Sequence, residues 1–141
     1  MKTLELRRMF EPRRGECLDF VVSGRSLYKE LRGRGYDVVP RLISKLVPVD
    51  IETRDLLFLE KSGDTPTGRV ALYRCPLCGH IGCGVVSVWI ARGRADILWS
   101  EFAWETDCSD HFQPIEHLGP YRFREAEYRQ AILNPRVSPG S

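Results

Sequence analysis

Three cysteines crowd into nine positions, Cys75, Cys78 and Cys83, between two apolar runs that each read as a strand. Arg69 to Arg74 (RVALYR) leads straight into Cys75, and Val85 to Ala91 (VVSVWIA) follows Gly84. Whatever fold the chain adopts must therefore turn sharply through Cys75-Pro76-Leu77-Cys78-Gly79-His80-Ile81-Gly82-Cys83-Gly84. Two thiolates three positions apart can meet one tetrahedral ion if the backbone turns tightly between them. Gly79 after the second cysteine tolerates positive φ, which lets backbone amides turn toward the sulfurs and offset their charge. Cys83 supplies a third sulfur. For the fourth position Cys108 and His80 are the candidates, with His111 behind them.

The chemistry of such a cluster depends on compartment. Five cysteines is an odd number, with Cys17 and Cys108 standing alone, unlike the even set of a secreted disulfide framework. The first ten residues, MKTLELRRMF, carry charges throughout and lack an apolar signal core. The longest uncharged stretch, Cys75 to Ala91, is too short and too interrupted by Pro and Gly to span a bilayer. A reducing cytoplasm is the expected setting. There the cluster reads as a structural Zn²⁺ site, as a reduced and metal-free turn, or as a redox pair made of Cys75 and Cys78. Against redox chemistry, Cys75 ends a strand pattern and no helix pattern begins at Cys78. A catalytic zinc would need an open position and a general base, and no H-E-x-x-H or H-x-E with P-C-x-x-C arrangement is present.

The rest of the chain reads as one α+β domain over residues 1–141, built on an antiparallel sheet with short helices. The Cys-rich knuckle pins one end of a hairpin. Thr3 to Leu6 alternates as a short edge strand, and Leu18 to Val22 is a second strand. Ser26 stands where an N-cap belongs, with Leu27, Tyr28 and Leu31 on one stripe and Gly33-Arg34-Gly35 ending the helix. Pro40 followed by Leu42, Ile43 and Leu46 predicts a brief helix stopped by Pro48. Asp50 caps another from Ile51 to about Lys61, although Leu56 to Leu59 also suits a buried strand. Ser62 to Gly68 is a loop. Val85 to Ala91 and Ile97 to Trp104 form a hairpin through Arg92-Gly93-Arg94. Val86, Val88 and Ile90 fall on one face and Val85 and Trp89 on the other, as in a central strand covered on both sides. Thr106 to Pro120 is a loop, Arg124 to Leu133 a helix broken by Asn134-Pro135, and residues 136–141 a loose tail.

These segments carry a resemblance. GRVALYRCPLCGHIGCGVVSVWI, ILWSEFAWE and HLGPYRFREAEYRQAIL are similar to a group of uncharacterised bacterial proteins. Those share a Cys-rich turn ending in GCG, a hairpin with V/I-x-W-x-x-F, and G-P-[FY]-x-F before a final helix. The likeness covers roughly residues 52–133 and implies the same fold. An acidic residue often stands there at the place of His80, which implies a fourth ligand from elsewhere. Some members carry an oxidoreductase label, but the resemblance supplies no established activity.

Other signals have plain readings. The first 34 residues hold nine basic and five acidic side chains, a footprint that nucleic acid would favour. The arginines alternate with acids, no aromatic ladder interleaves them, and the whole chain is near neutral at +2, so a solvated face is expected. Trp89, Trp99 and Trp104 read as core rather than as an exposed platform, and Glu101 and Glu105 as surface carboxylates. Asp107, Asp110, His111 and His117 read as a solvated polar loop. With no nucleophile elbow, phosphate loop or dinucleotide fingerprint, the expected role is non-enzymatic. It is the recognition of another protein, such as a toxin blocked by an immunity protein or an assembly partner.

Overall fold

In a computed structural model, residues 1–43, 49–77, 84–106 and 112–135 are described. The loose tail at 136–141 and the Pro48 helix stop lie outside them. The described residues form an α+β domain with two antiparallel sheets and three short helices.

The smaller sheet starts with a hairpin of β1 (Leu4–Glu11) and β2 (Gly15–Val22). The expected edge strand is present and runs five residues past Leu6, through charged positions paired across to β2. β3 (Arg25–Ser26) closes against the end of β2 and runs into α1 (Leu27–Gly33). The Ser26 hydroxyl accepts the Lys29 N–H at 3.1 Å, the N-cap bond the sequence predicts. Gly35, at φ 95°, takes the left-handed conformation that lets the chain turn away after the helix.

Where it is described, the start of the helix predicted from Pro40 is strand instead. Its described part is β4 (Val39–Pro40) and β5 (Leu42–Ile43), which pair with strands of different sheets. Arg41 sits at the crossing, 7% exposed; its N–H donates to Leu72 O at 3.0 Å and its guanidinium bonds Asp64 and Ala71 O. These long-range bonds satisfy the backbone better than one isolated turn of helix would. α2 (Ile51–Leu57) is capped by Asp50, whose carboxylate accepts the Thr53 N–H at 3.0 Å. It stops short of Lys61 because Leu59, at φ 62°, leaves the helical region.

The larger sheet runs β10-β8-β7-β6-β4, with β9 also pairing β8. Its strands are β6 (Val70–Arg74), β7 (Val85–Arg92), β8 (Asp96–Glu105), β9 (Phe112–Pro114) and β10 (Tyr121–Arg124). β7 is central, as its two-sided apolar pattern predicts, and the Arg92–Arg94 turn joins it to β8. β9 lies inside the stretch read as a loop. α3 (Glu125–Leu133) follows β10 and buries Tyr128 and Ile132.

One core joins these layers. Phe20 from β2 meets Tyr73 and Trp99 edge-on, with ring centroids 5.9 and 5.7 Å apart. Trp99 Nε1 donates to the Tyr128 hydroxyl at 3.2 Å, which in turn donates to Leu57 O at 2.8 Å, tying α3 and α2 to the sheet. Tyr73 also fills the gap in the β2 ladder between β3 and β5. Its hydroxyl accepts the Phe20 N–H at 3.4 Å and donates to the buried Asp19 carboxylate at 2.6 Å. Without that hydroxyl, both groups would lose a partner inside the protein.

Candidate functional site

Register places the Cys-bearing segment at one end of the larger sheet. Arg74 of β6 stands opposite Val85 of β7, Val85 opposite Glu105 of β8, and Glu105 opposite Phe112 of β9. One step beyond that row, Cys75 N–H donates to Gly84 O at 3.1 Å. This bond closes the base of the connection that carries Cys75, Cys78, His80 and Cys83. The Glu105–Phe112 pair closes the base of the connection that carries Cys108 and His111. Both connections therefore leave and re-enter the sheet at the same end. Cys78, His80, Cys83, Cys108 and His111 lie outside the described residues, as do Asp107 and Asp110.

Cys75 is a half-buried free thiol, followed by a turn at Pro76-Leu77 that leaves Leu77 fully in solvent. It borders a depression of about 400 Å³ together with Tyr36, Asp37, Trp104 and Gln113. Trp104 packs against Tyr36, centroids 5.9 Å apart, and covers Gly84. A Cβ on Gly84 would stand 2.1 Å from the Trp104 ring, and its φ of 120° is one that L side chains rarely adopt. Only glycine fits where the chain re-enters β7.

Glu105 overturns its sequence reading as a surface carboxylate. It is 1% exposed and accepts a hydrogen bond from the equally buried Ser87 hydroxyl. The register puts Glu105 and Ser87 on the sheet face opposite Trp104. Its partner in the sequence reading, Glu101, is exposed at a backbone kink of φ 54°. A buried carboxylate in a strand could have been suspected from Ser87, a polar residue amid valines whose hydroxyl needs a partner.

The tryptophans divide. Trp99 is core and Trp104 half-buried, but Trp89 is 41% exposed, so the expectation of core packing fails there. Arg69 stacks between Trp89 and Phe112, 6.0 and 4.9 Å from the ring centroids. His117 lies in an exposed turn. Cys17 lies on the smaller sheet, opposite Met9 and Ile43, fully buried, with burial pushing its thiol up to about 11. That thiol is a poor nucleophile at neutral pH.

In the basic N-terminal region five of the nine basic side chains form ion pairs. Arg7 pairs with Glu5, Arg8 with Glu16, Arg13 with Glu11 and Asp37, Arg32 with Asp37, and Arg34 with Glu30. Glu11, held by Arg13 and the Tyr28 hydroxyl, has its carboxyl lowered to about 2. Asp19 goes the other way: desolvation raises its carboxyl above the usual range despite donors from Ser26, Tyr73 and the Tyr28 N–H.

Among the described residues no three His, Cys, Asp or Glu side chains gather as a metal site. None of the described helices is long and apolar enough to cross a membrane. No family model, curated protein or solved structure matches the chain.

Proposed function

We propose that this is a cytoplasmic, non-enzymatic binding protein whose Cys-rich sheet end is held by a structural Zn²⁺. Cys75, Cys78 and Cys83 are its sulfur ligands, and Cys108 or His80 completes the set. The observation that carries this reading is the shared base row: Cys75 N–H bonded to Gly84 O, and Glu105 paired with Phe112. Two connections that carry sulfur and imidazole in their sequence thus start and finish at one sheet end. Cys108 follows Thr106 by two residues in the sequence, on the chain that leaves the sheet at Glu105. An ion there would cross-link two connections that the ladder leaves open, and binding free energy would become folding free energy.

The work of the protein in this reading is recognition. A toxin neutralised by an immunity protein, or an assembly partner, is the class of target. Support comes from large side chains left in solvent, Phe10, Trp89 and Phe112, on a domain whose buried polar groups are engaged in packing. Against a thiol redox role for Cys75 and Cys78 stands the local setting among the described residues: Cys75 follows β6 and leads into a turn at Pro76-Leu77, and no helix begins at these three positions.

Thermal unfolding with and without a strong chelator tests the proposal. Chelation should lower the midpoint by more than about 10 °C, with zinc but not magnesium restoring it. A midpoint indifferent to chelator overturns the metal. Substrate turnover lost in Cys75→Ser without unfolding overturns the non-enzymatic reading.

A further inference from the structure

Three arginines meet where the chain crosses from one sheet to the other. Arg14 lies in the turn between β1 and β2, Arg41 between β4 and β5, and Arg74 ends β6. The ladders draw them together, since β5 pairs with β2 through Ile43 and Cys17, and β4 with β6 through Val39 and Arg74. Arg14 Nη2 donates to Arg41 O at 2.8 Å. Burial, and then the charges of Arg41 and Arg14, lower the Arg74 guanidinium from the ordinary arginine value. The carboxylate that answers this cluster is Asp64, 2.7 Å from Arg41 Nη1 and already accepting the Ala71 N–H. Asp50 acts on Arg74 more weakly, from the cap of α2. Arg14 forms no ion pair among the described residues. Two donors lack acceptors: Arg14 Nε and Arg41 Nε are buried with no hydrogen-bond partner among the described residues. Arg41 is the floor of the corner, 7% exposed, whereas Arg14 and Arg74 are half-buried and carry the positive charge out to solvent.

We infer that this corner binds a phosphate group, free or as a monoester, among the guanidiniums of Arg14, Arg41 and Arg74. Guanidinium forks match the oxygen geometry of phosphate and give it charge-assisted bonds. A carboxylate brings one negative charge in one plane. A phosphate brings nearly two, with three acceptor oxygens for donors that arrive from three directions. Bound at the rim, it supplies the acceptor that the Arg14 fork lacks and offsets the mutual repulsion of the three cations. Of Arg74 the inference asks only its charge. It goes beyond the partner-binding reading above and does not depend on the zinc.

Calorimetric titration of the full chain with inorganic phosphate, glycerol phosphate and acetate, at constant ionic strength, tests it. Phosphate should saturate a single site, and acetate should bind at least about tenfold more weakly. Glycerol phosphate binding as well as the inorganic ion assigns the site to a monoester; inorganic phosphate alone assigns it to the free ion. Arg14→Gln should weaken phosphate at least about tenfold. Arg14→Lys should restore only part of that loss, because an ammonium lacks the fork. Arg8→Gln, which breaks an exposed pair with Glu16, should leave binding unchanged. Arg74→Gln gives a second readout should Arg14→Gln misfold. Neither phosphate saturating, acetate binding as tightly, or binding that survives both Arg14→Gln and Arg74→Gln overturns the inference. An equal loss in Arg8→Gln assigns the binding to general surface charge and overturns it too. None of these failures touches the proposed function, which falls instead to stability indifferent to chelator or to turnover dependent on Cys75.

Discussion

The two ends of the β7–β8 ribbon solve the same problem with different means. At the hairpin end, a short turn returns the chain: Gly93 N–H donates to Asp96 O at 2.9 Å, and Glu125 N–H to Ala95 O at 2.9 Å. Arg122 reaches the Asp96 carboxylate and Arg92 reaches Phe58 O, so the turn is tied to β10 and to the end of α2. Nothing more is needed there. At the opposite end the ribbon leads into two longer connections, whose bases are closed by the Cys75–Gly84 bond and the Glu105–Phe112 pair. Loop closure costs entropy that local turn chemistry cannot offset over such spans, and a cross-link at the far end removes much of it. Cys75 stands at this end, and the segments that carry Cys78, Cys83 and Cys108 in the sequence leave the sheet here, whereas the Arg92–Asp96 turn holds no cysteine. The contrast teaches that a sheet can be finished by hydrogen bonds where its turn is tight, and calls for a stronger tie where it is not.

The largest way to break that comparison is to remove the tie. Cys75→Ser combined with Cys78→Ser should cost at least about 3 kcal/mol in a denaturant titration and should release zinc, since both effects come from one site. Retained stability with zinc lost would mean that both ends stand on hydrogen bonds alone. Next comes the glycine that seats the open end. Gly84→Val must place a side chain into the Trp104 ring at a positive φ and should lose about 3 kcal/mol, read from the same titration.

Acid sharpens the comparison, because the proposed sulfur ligands would take up protons and release zinc as pH falls. Two buried carboxylates act on the same curve with opposite signs. Glu11 has a native value of about 2 against the usual 4.5, so its stabilisation is present above 4.5 and is lost as pH falls toward 2. Asp19 is raised in the native state, so its contribution is greatest in acid and is lost as pH climbs through the unfolded value to the native one. Asp19→Asn should flatten that decline, measured as unfolding free energy against pH between the same limits. An unchanged slope would place the raised carboxyl elsewhere. The smallest effect belongs to the hairpin end: Arg122→Ala breaks an exposed ion pair to Asp96 and should cost less than about 1 kcal/mol by chemical denaturation. A larger loss would mean that the turn is not self-sufficient.

Local chemistry was readable wherever it is local. Ser26 and Asp50 cap the helices the sequence assigns to them, and Gly93 marks the hairpin, because each device acts within four residues. The hairpin's alternation also placed β7 in the middle of the sheet. What failed was long-range. Pro40, Leu42 and Ile43 read as the start of a helix by spacing, yet the two-residue pieces Val39–Pro40 and Leu42–Ile43 are each defined by a strand distant in sequence, and Arg41 is buried by Asp64 and Leu72. β9 is a strand only because β8 lies beside it. Glu105 and Trp89 exchanged their expected environments for a related reason: whether a face of a sheet is covered depends on what packs there, and alternation alone does not encode it. Of the proposed ligands, Cys75 is placed by its neighbours, and the cluster itself was legible only as spacing.

The account turns on whether those sulfurs share an ion. X-ray absorption at the zinc edge, on protein purified without added metal and quantified by elemental analysis, asks this directly. The account predicts one zinc per chain with three or four sulfur scatterers at about 2.3 Å. Protein free of zinc, or zinc surrounded by oxygen and nitrogen alone, would contradict it.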